Sequence, residues 1–154
     1  MVGDAQLKRR DFLASSAAFA AAVLVRQANA VAQSDVLKPL VAQYAAGATV
    51  SEGRVKLDIS PLVENGNSVP VEVTVESPMT REQHVVGIAI FNEKNPQNDV
   101  ALFALSPRSG RARVATRIRL AGSQQLVVVA KMNDGSCWTH TVDVLVTTTS
   151  CIEE

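Results

Sequence analysis

Aromatic side chains are scarce in this chain: one Trp, one Tyr and four Phe stand among 154 residues. Its apolar mass comes from Val instead, which favours strands over helices. Neither sign of charge is in excess, with Lys and Arg together matching Asp and Glu at 15 each. A balanced surface of this kind lacks the basic field that nucleic acid or an anionic membrane requires. The chain also has no glycine-rich phosphate loop, no nucleophile elbow and no closely spaced His pair, so the usual hydrolase and oxidoreductase patterns are absent. With two cysteines, only one pairing within the chain is possible.

One of those cysteines has an unusual position. Cys151 follows Thr147-Thr148-Thr149-Ser150 and precedes Ile152-Glu153-Glu154, beyond the last predicted strand. Cysteine is among the most buried residue types, so at a chain end its chemistry, not its packing, needs explaining.

The opposite end reads as an address label. Lys8-Arg9-Arg10-Asp11-Phe12-Leu13 is a twin-arginine pattern, and an alanine-rich run from Ala14 to Val25 follows it. That run is shorter than the roughly 20 residues a membrane span needs. Ala28-Asn29-Ala30 supplies a small-x-small cleavage pattern. Residues 1–30 are therefore expected to be a twin-arginine signal peptide, with a mature chain starting near Val31 that works in the periplasm, free of the membrane.

Ser34-Asp35 predicts a helix start with Ser34 as N-cap, and Val36, Leu37, Leu40, Val41 and Tyr44 recur at helical spacing before Gly47. Pro39 allows a late start. From there the period changes to two. Val55, Leu57 and Ile59 alternate with charge, and so do Val69, Val71, Val73 and Val75. Further strands are predicted near 85–91, 100–105, 112–120, 126–132 and 137–146, with Asn133-Asp134-Gly135 the strongest hairpin signal. The predicted fold is an all-β, immunoglobulin-like antiparallel sandwich of about seven strands with a short N-terminal helix. Its parts are a helical segment at 31–47, a sandwich at 48–147 and an arm at 148–154.

His84, Cys137 and His140 occur in the order used by blue-copper sandwiches. Alternation along a strand sends Cys137 and His140 to opposite faces, and Met132 precedes the Cys instead of following the second His. Both facts argue against copper. A strand from Cys137 to Val146 also rises about 30 Å, more than the remaining residues can retrace, which argues against a Cys137–Cys151 disulfide. Arg111, Arg113, Arg117 and Arg119 form a stripe that reads either as a charge-guarded edge or as an anion or partner surface. Trp138 reads as a core plug, or as a partner contact.

Several ordered segments carry a resemblance. They include Glu52-Gly53-Arg54-Val55-Lys56-Leu57, Glu64-Asn65-Gly66-Asn67-Ser68-Val69-Pro70-Val71 and Val75-Glu76-Ser77-Pro78-Met79-Thr80. Thr116-Arg117-Ile118-Arg119-Leu120-Ala121 and Asn133-Asp134-Gly135-Ser136 complete the set. Together with the leader and the late Cys, they make the chain resemble SoxY, the sulfur-carrier family of the thiosulfate-oxidising Sox system.

The resemblance implies a non-enzymatic carrier that pairs with a SoxZ subunit and meets the pathway enzymes transiently. It implies covalent attachment of a thiosulfate-derived group to Cys151, with no other cofactor. The alternative it leaves open is a diverged binding or assembly module that pairs with a SoxZ-like subunit without carrying sulfur. The family's arm sets its Cys between glycines, whereas Thr149-Ser150 and Ile152-Glu153-Glu154 stand here. Threonine stiffens a tether, and the neighbouring carboxylates disfavour a thiolate.

Overall fold

The computed structural model describes residues 33–148. These form one α-helix, α1 (Leu37–Ala45), and nine strands. The strands are β1 (Val50–Glu52), β2 (Val55–Asp58), β3 (Leu62–Asn65), β4 (Val69–Val75), β5 (Val85–Asn92), β6 (Asp99–Ala104), β7 (Arg113–Ile118), β8 (Gln124–Met132) and β9 (Cys137–Thr148). One sheet has the order β1-β9-β8-β5-β6, with β3 also paired to β9, and the second is β2-β4-β7.

The sandwich is as predicted, but it contains two strands more than expected and is not wholly antiparallel. Both added strands, β1 and β3, pair with β9 in parallel. The cause is a chain that crosses between sheets twice within a few residues. Gly53 and Arg54, both at positive φ, turn β1 out of the large sheet and into β2. The chain then returns as β3. Strands of three and four residues leave too little alternation to read in advance.

The period-two valines do what their spacing demands. Val69, Val71, Val73 and Val75 of β4 are buried against Ile88, Ile90, Leu126 and Val128 of the facing sheet. Among the described residues the exposed large apolar side chains are Val36, Leu62, Leu102 and Leu145. On the opposite face of the large sheet, Leu37, Val41 and Ala45 of α1 pack on Ala89, Phe91, Val127, Val129 and Cys137. Full burial of one such leucine contributes roughly 2 kcal/mol.

Ser34 is not the N-cap. Val36 occupies that position without a side-chain cap, while the Ser34 carbonyl accepts the Leu37 and Lys38 N–H groups. Starting at Leu37 places Pro39 in the first turn, where a missing N–H costs nothing.

The Asn133-Asp134-Gly135 turn joins β8 to β9, with Gly135 at φ 86° and the Met132 N–H donating to the Ser136 carbonyl at 2.9 Å. The arginine stripe is divided by register. Arg113 reaches across to β4 and grips Glu72 with two bonds of 2.6 and 2.7 Å. Arg117 lies within 3.5 Å of Ser68, and Arg111 and Arg119 are exposed.

The hydrogen bonds from Arg113 hold the Glu72 carboxyl below its usual range. A lowered carboxylate contributes stability that is complete at neutral pH and is lost as the pH falls through the lowered value. Glu72→Gln should therefore flatten the acid side of the stability–pH curve below about pH 5, measured by urea unfolding at stepped pH. An unchanged slope would show that the pair contributes nothing.

Candidate functional site: the root of the cysteine-bearing arm

Cys151 and the rest of the expected arm beyond Thr148 lie outside the described residues, as does the expected signal peptide. What the structure describes is the mount from which that segment departs. β9 pairs antiparallel with β8 from Cys137 to Val144 and then parallel with β3, ending on Asn65 opposite Thr148.

Three contacts lock this end. Ser123 Oγ takes the Val146 N–H at 2.9 Å, and Thr147 Oγ1 donates to the Glu64 carbonyl at 3.2 Å. Beside them Gly66, buried, receives the Leu120 N–H on its carbonyl at 2.9 Å. A Cβ on Gly66 would collide with the Leu120 backbone carbonyl and press on Val146. Glycine is required there by close approach, not by an unusual φ. Asn65-Gly66-Asn67 has the composition of a turn, but that composition does not say which segment the turn touches.

The other thiol is sealed. Cys137 opens β9 beneath α1 and is 1% exposed. Burial pushes its pKa up, with Lys131 lowering it and Asp134 raising it by smaller amounts. A buried thiol with a raised pKa is a poor nucleophile. Its strand spans 12 residues, so about 36 Å of rise separates Cys137 from Thr148. Residues 149–151 reach back only about 10 Å. While β9 is intact the two sulfurs of one chain cannot meet.

Cys137 and His140 do point to opposite faces, as alternation predicts. His140 looks away from α1, and its Nδ1 accepts the Leu57 N–H at 3.1 Å, so the ring's own proton sits on Nε2. It thereby satisfies an N–H of β2 on the side away from β4, and links the two sheets. His84 Nδ1 lies 3.0 Å from the Thr80 carbonyl, and Met132 is buried in the core. The copper constellation is not assembled, and among the described residues no three His, Cys, Asp or Glu side chains converge on one point. No described helix is long and apolar enough to cross a membrane.

Trp138 is half-buried against the core and is capped by the Arg54 guanidinium, 4.8 Å from the ring centroid. It is neither a complete plug nor an open platform.

Sequence reasoning missed a set of buried amides. Gln125 accepts the Ser34 N–H at 2.7 Å and donates to Asp143 at 3.1 Å, fastening the segment before α1 to the sheet. Gln124 accepts the Lys94 N–H and donates to Asn95, which also bonds Arg119 and Ala121. A Gln pair opening an otherwise apolar strand was the available signal.

Together these observations define a two-sheet β-sandwich whose last described strand ends at Thr148, three positions before Cys151 in the sequence. The model of the family described as sulfur oxidation protein SoxY matches residues 41–151. The chain belongs to the SoxY family. Among solved structures it is similar to the sulfur carrier protein SoxY from Chlorobium limicola f thiosulfatophilum, with 27% identity and a TM-score of 0.60 over 71% of this chain and 90% of that one. The superoxide reductase (neelaredoxin) from Ignicoccus hospitalis shares 19% identity at TM-score 0.54, covering 61% and 80%. The superoxide reductase from Nanoarchaeum equitans shares 10% at TM-score 0.53, covering 62% and 100%. These two share the fold alone. No curated protein matches the chain.

Two outcomes test the mount and the sealed thiol. Gly66→Ala should destabilise the sandwich by about 1–3 kcal/mol through forced displacement of Leu120. A urea midpoint equal to wild type would show that the turn moves aside freely. In a Cys151→Ser background, Cys137 should resist an aromatic disulfide reagent in buffer and react at once in guanidinium. Fast labelling of the native protein would contradict its burial.

Proposed function

We propose that this protein is the sulfur carrier of a periplasmic thiosulfate-oxidising system, exported by the twin-arginine route. It holds its cargo on Cys151 and presents it to partner enzymes. The observation that carries this reading is the reach of the family match through residue 151, on a sandwich whose last strand is secured up to Thr148. A rigid mount with its reactive group beyond the packed strands suits a carrier better than an enzyme.

The chemistry is nucleophilic tethering. The Cys151 thiolate forms a sulfur–sulfur bond to the outer sulfur of thiosulfate, and two electrons leave to an acceptor supplied by a partner enzyme. Water then cleaves the bond to the sulfonate group, releasing sulfate and leaving a persulfide on Cys151. The sandwich performs neither step.

Leu62 and Leu145 face one another in register and are 56% and 62% exposed, an apolar pair beside the arm's root that suits a SoxZ-like subunit.

A second reading rests on a specific departure. Thr149, Ser150 and Ile152 stand where the family's arm carries glycines, which fits a binding or assembly module that pairs with a partner without carrying sulfur.

Intact mass separates the two. Native protein exposed to thiosulfate and its partner enzymes should gain thiosulfate or persulfide mass, removable by reductant and absent from Cys151→Ser. The same spectrum should place the mature start near Val31. Adducts lacking in the wild type, together with normal thiosulfate growth of the Cys151→Ser strain, would leave the assembly module as the function.

A further inference from the structure

The large sheet ends in a strand edge with nothing laid along it. β6 closes the order β1-β9-β8-β5-β6, and among the described residues no strand pairs with its outer side. The other edges are guarded by charge or are short. β7 carries Arg113 and Arg117, β2 carries Lys56 and Asp58, and β1 and β3 have only three and four residues. β6 holds six residues, and from Val100 to Ala104 it has neither charge nor proline. Its one irregularity, opposite Ile90 and Phe91, falls at its start, so the strand is regular from Ala101 onward.

Alternation fixes which backbone groups face outward. The Leu105 N–H donates inward, to the Val86 carbonyl at 3.0 Å. In an antiparallel ladder inward and outward groups change with every residue. Phe103 therefore also turns inward, and Leu102 and Ala104 present their N–H and C=O groups to the open edge.

The side chains of these two residues share the helix-bearing face, because they pair with Ala89 and Gly87. Leu102 is 61% exposed there. Ala104 is small and exposed, and beside it Gly87 has no side chain; a Cβ on Gly87 would fall 2.6 Å from the Tyr44 hydroxyl oxygen. The edge thus offers a knob at Leu102 and a hollow over Ala104 and Gly87, next to Tyr44.

A second copy of the same edge fits both features at once. We infer that β6 pairs antiparallel with β6 of a second copy, Leu102 of each lying opposite Ala104 of the other. Phe103 then sits on the two-fold axis. The outward N–H and C=O of each Leu102 bond those of Ala104 across the axis, and each Leu102 side chain enters the other's hollow.

Charge agrees with this register. It sets Asp99 opposite Pro107 of the second copy, where the turn Pro107–Ser109 carries Arg108. Asp99 and Arg108 are exposed, and neither has an ion-pair partner among the described residues. An in-register parallel pairing would instead set Asp99 against Asp99. β5 and β8 separate β6 from β9, so the arm's root stays clear of the contact. The pairing does not depend on what Cys151 carries. An edge contact of this length buries less than about 1,200 Å2, the range of weak, concentration-dependent association.

The test is sedimentation velocity of the full-length mature chain carrying Cys151→Ser, with reductant present, from roughly 10 to 500 μM. A reversible dimer should form with a Kd on the order of 100 μM. Hydrogen exchange at the Leu102 and Ala104 amides should slow as concentration rises. Leu102→Lys should weaken the dimer by about tenfold or more, whereas Leu145→Lys should leave it unchanged. Asp99→Arg and Arg108→Asp should each weaken it several-fold, and the two together should restore it, a rescue that misfolding could not imitate. A monomer at every concentration would overturn the pairing. So would a dimer that survives Leu102→Lys, or one whose single and double charge variants behave alike.

Discussion

Strand β9 is hydrogen-bonded to three strands, one immediately before it in sequence and two far upstream. β8 runs along one edge, and β1 and β3 divide the other. A strand shared in this way cannot shift register without moving every partner, because a one-residue slip exchanges its two faces. Cys137 would then enter the sandwich core, and His140 would leave Leu57 unpaired. The position of Thr148, and so the origin of the arm, follows from this one constraint.

The same constraint separates the two thiols. Alternation puts Cys137 on the helix-covered face at the start of β9, where low polarity favours the neutral thiol. The length of β9 keeps it from the other sulfur. One fold thus packs Cys137 as a small apolar residue at one end of β9 and secures the other end at Thr148. The Cβ-free approach of Gly66 to Leu120 serves that second end, since it lets the turn after β3 close against it.

Polar residues fix what valines cannot. A core of interchangeable branched side chains specifies burial but tolerates sliding, whereas a buried amide accepts only partners with matching geometry. Gln125 and Gln124 use that property to fasten the segment before α1 and the 93–98 loop to β8. Asn92, in the adjoining strand, has the same side-chain chemistry without a side-chain hydrogen bond among the described residues.

The period-two valines of β4, the Asn-Asp-Gly turn and the helical spacing around Val41 were legible because each is a local pattern with one physical reading. So was the opposition of Cys137 and His140, which needs only strand alternation. The family was legible from ordered segments. The parallel pairing of β1 and β3, the late start of α1 and the burial of Gln124 and Gln125 were not. Each depends on which distant segment lies alongside, and a one-dimensional period does not encode that. Sequence by itself determined the faces, the turns and the residue on which the functional reading rests. Tertiary structure decided which strands flank β9 and what locks its end at Thr148, because hydrogen-bond partners and close approaches are properties of neighbours in space.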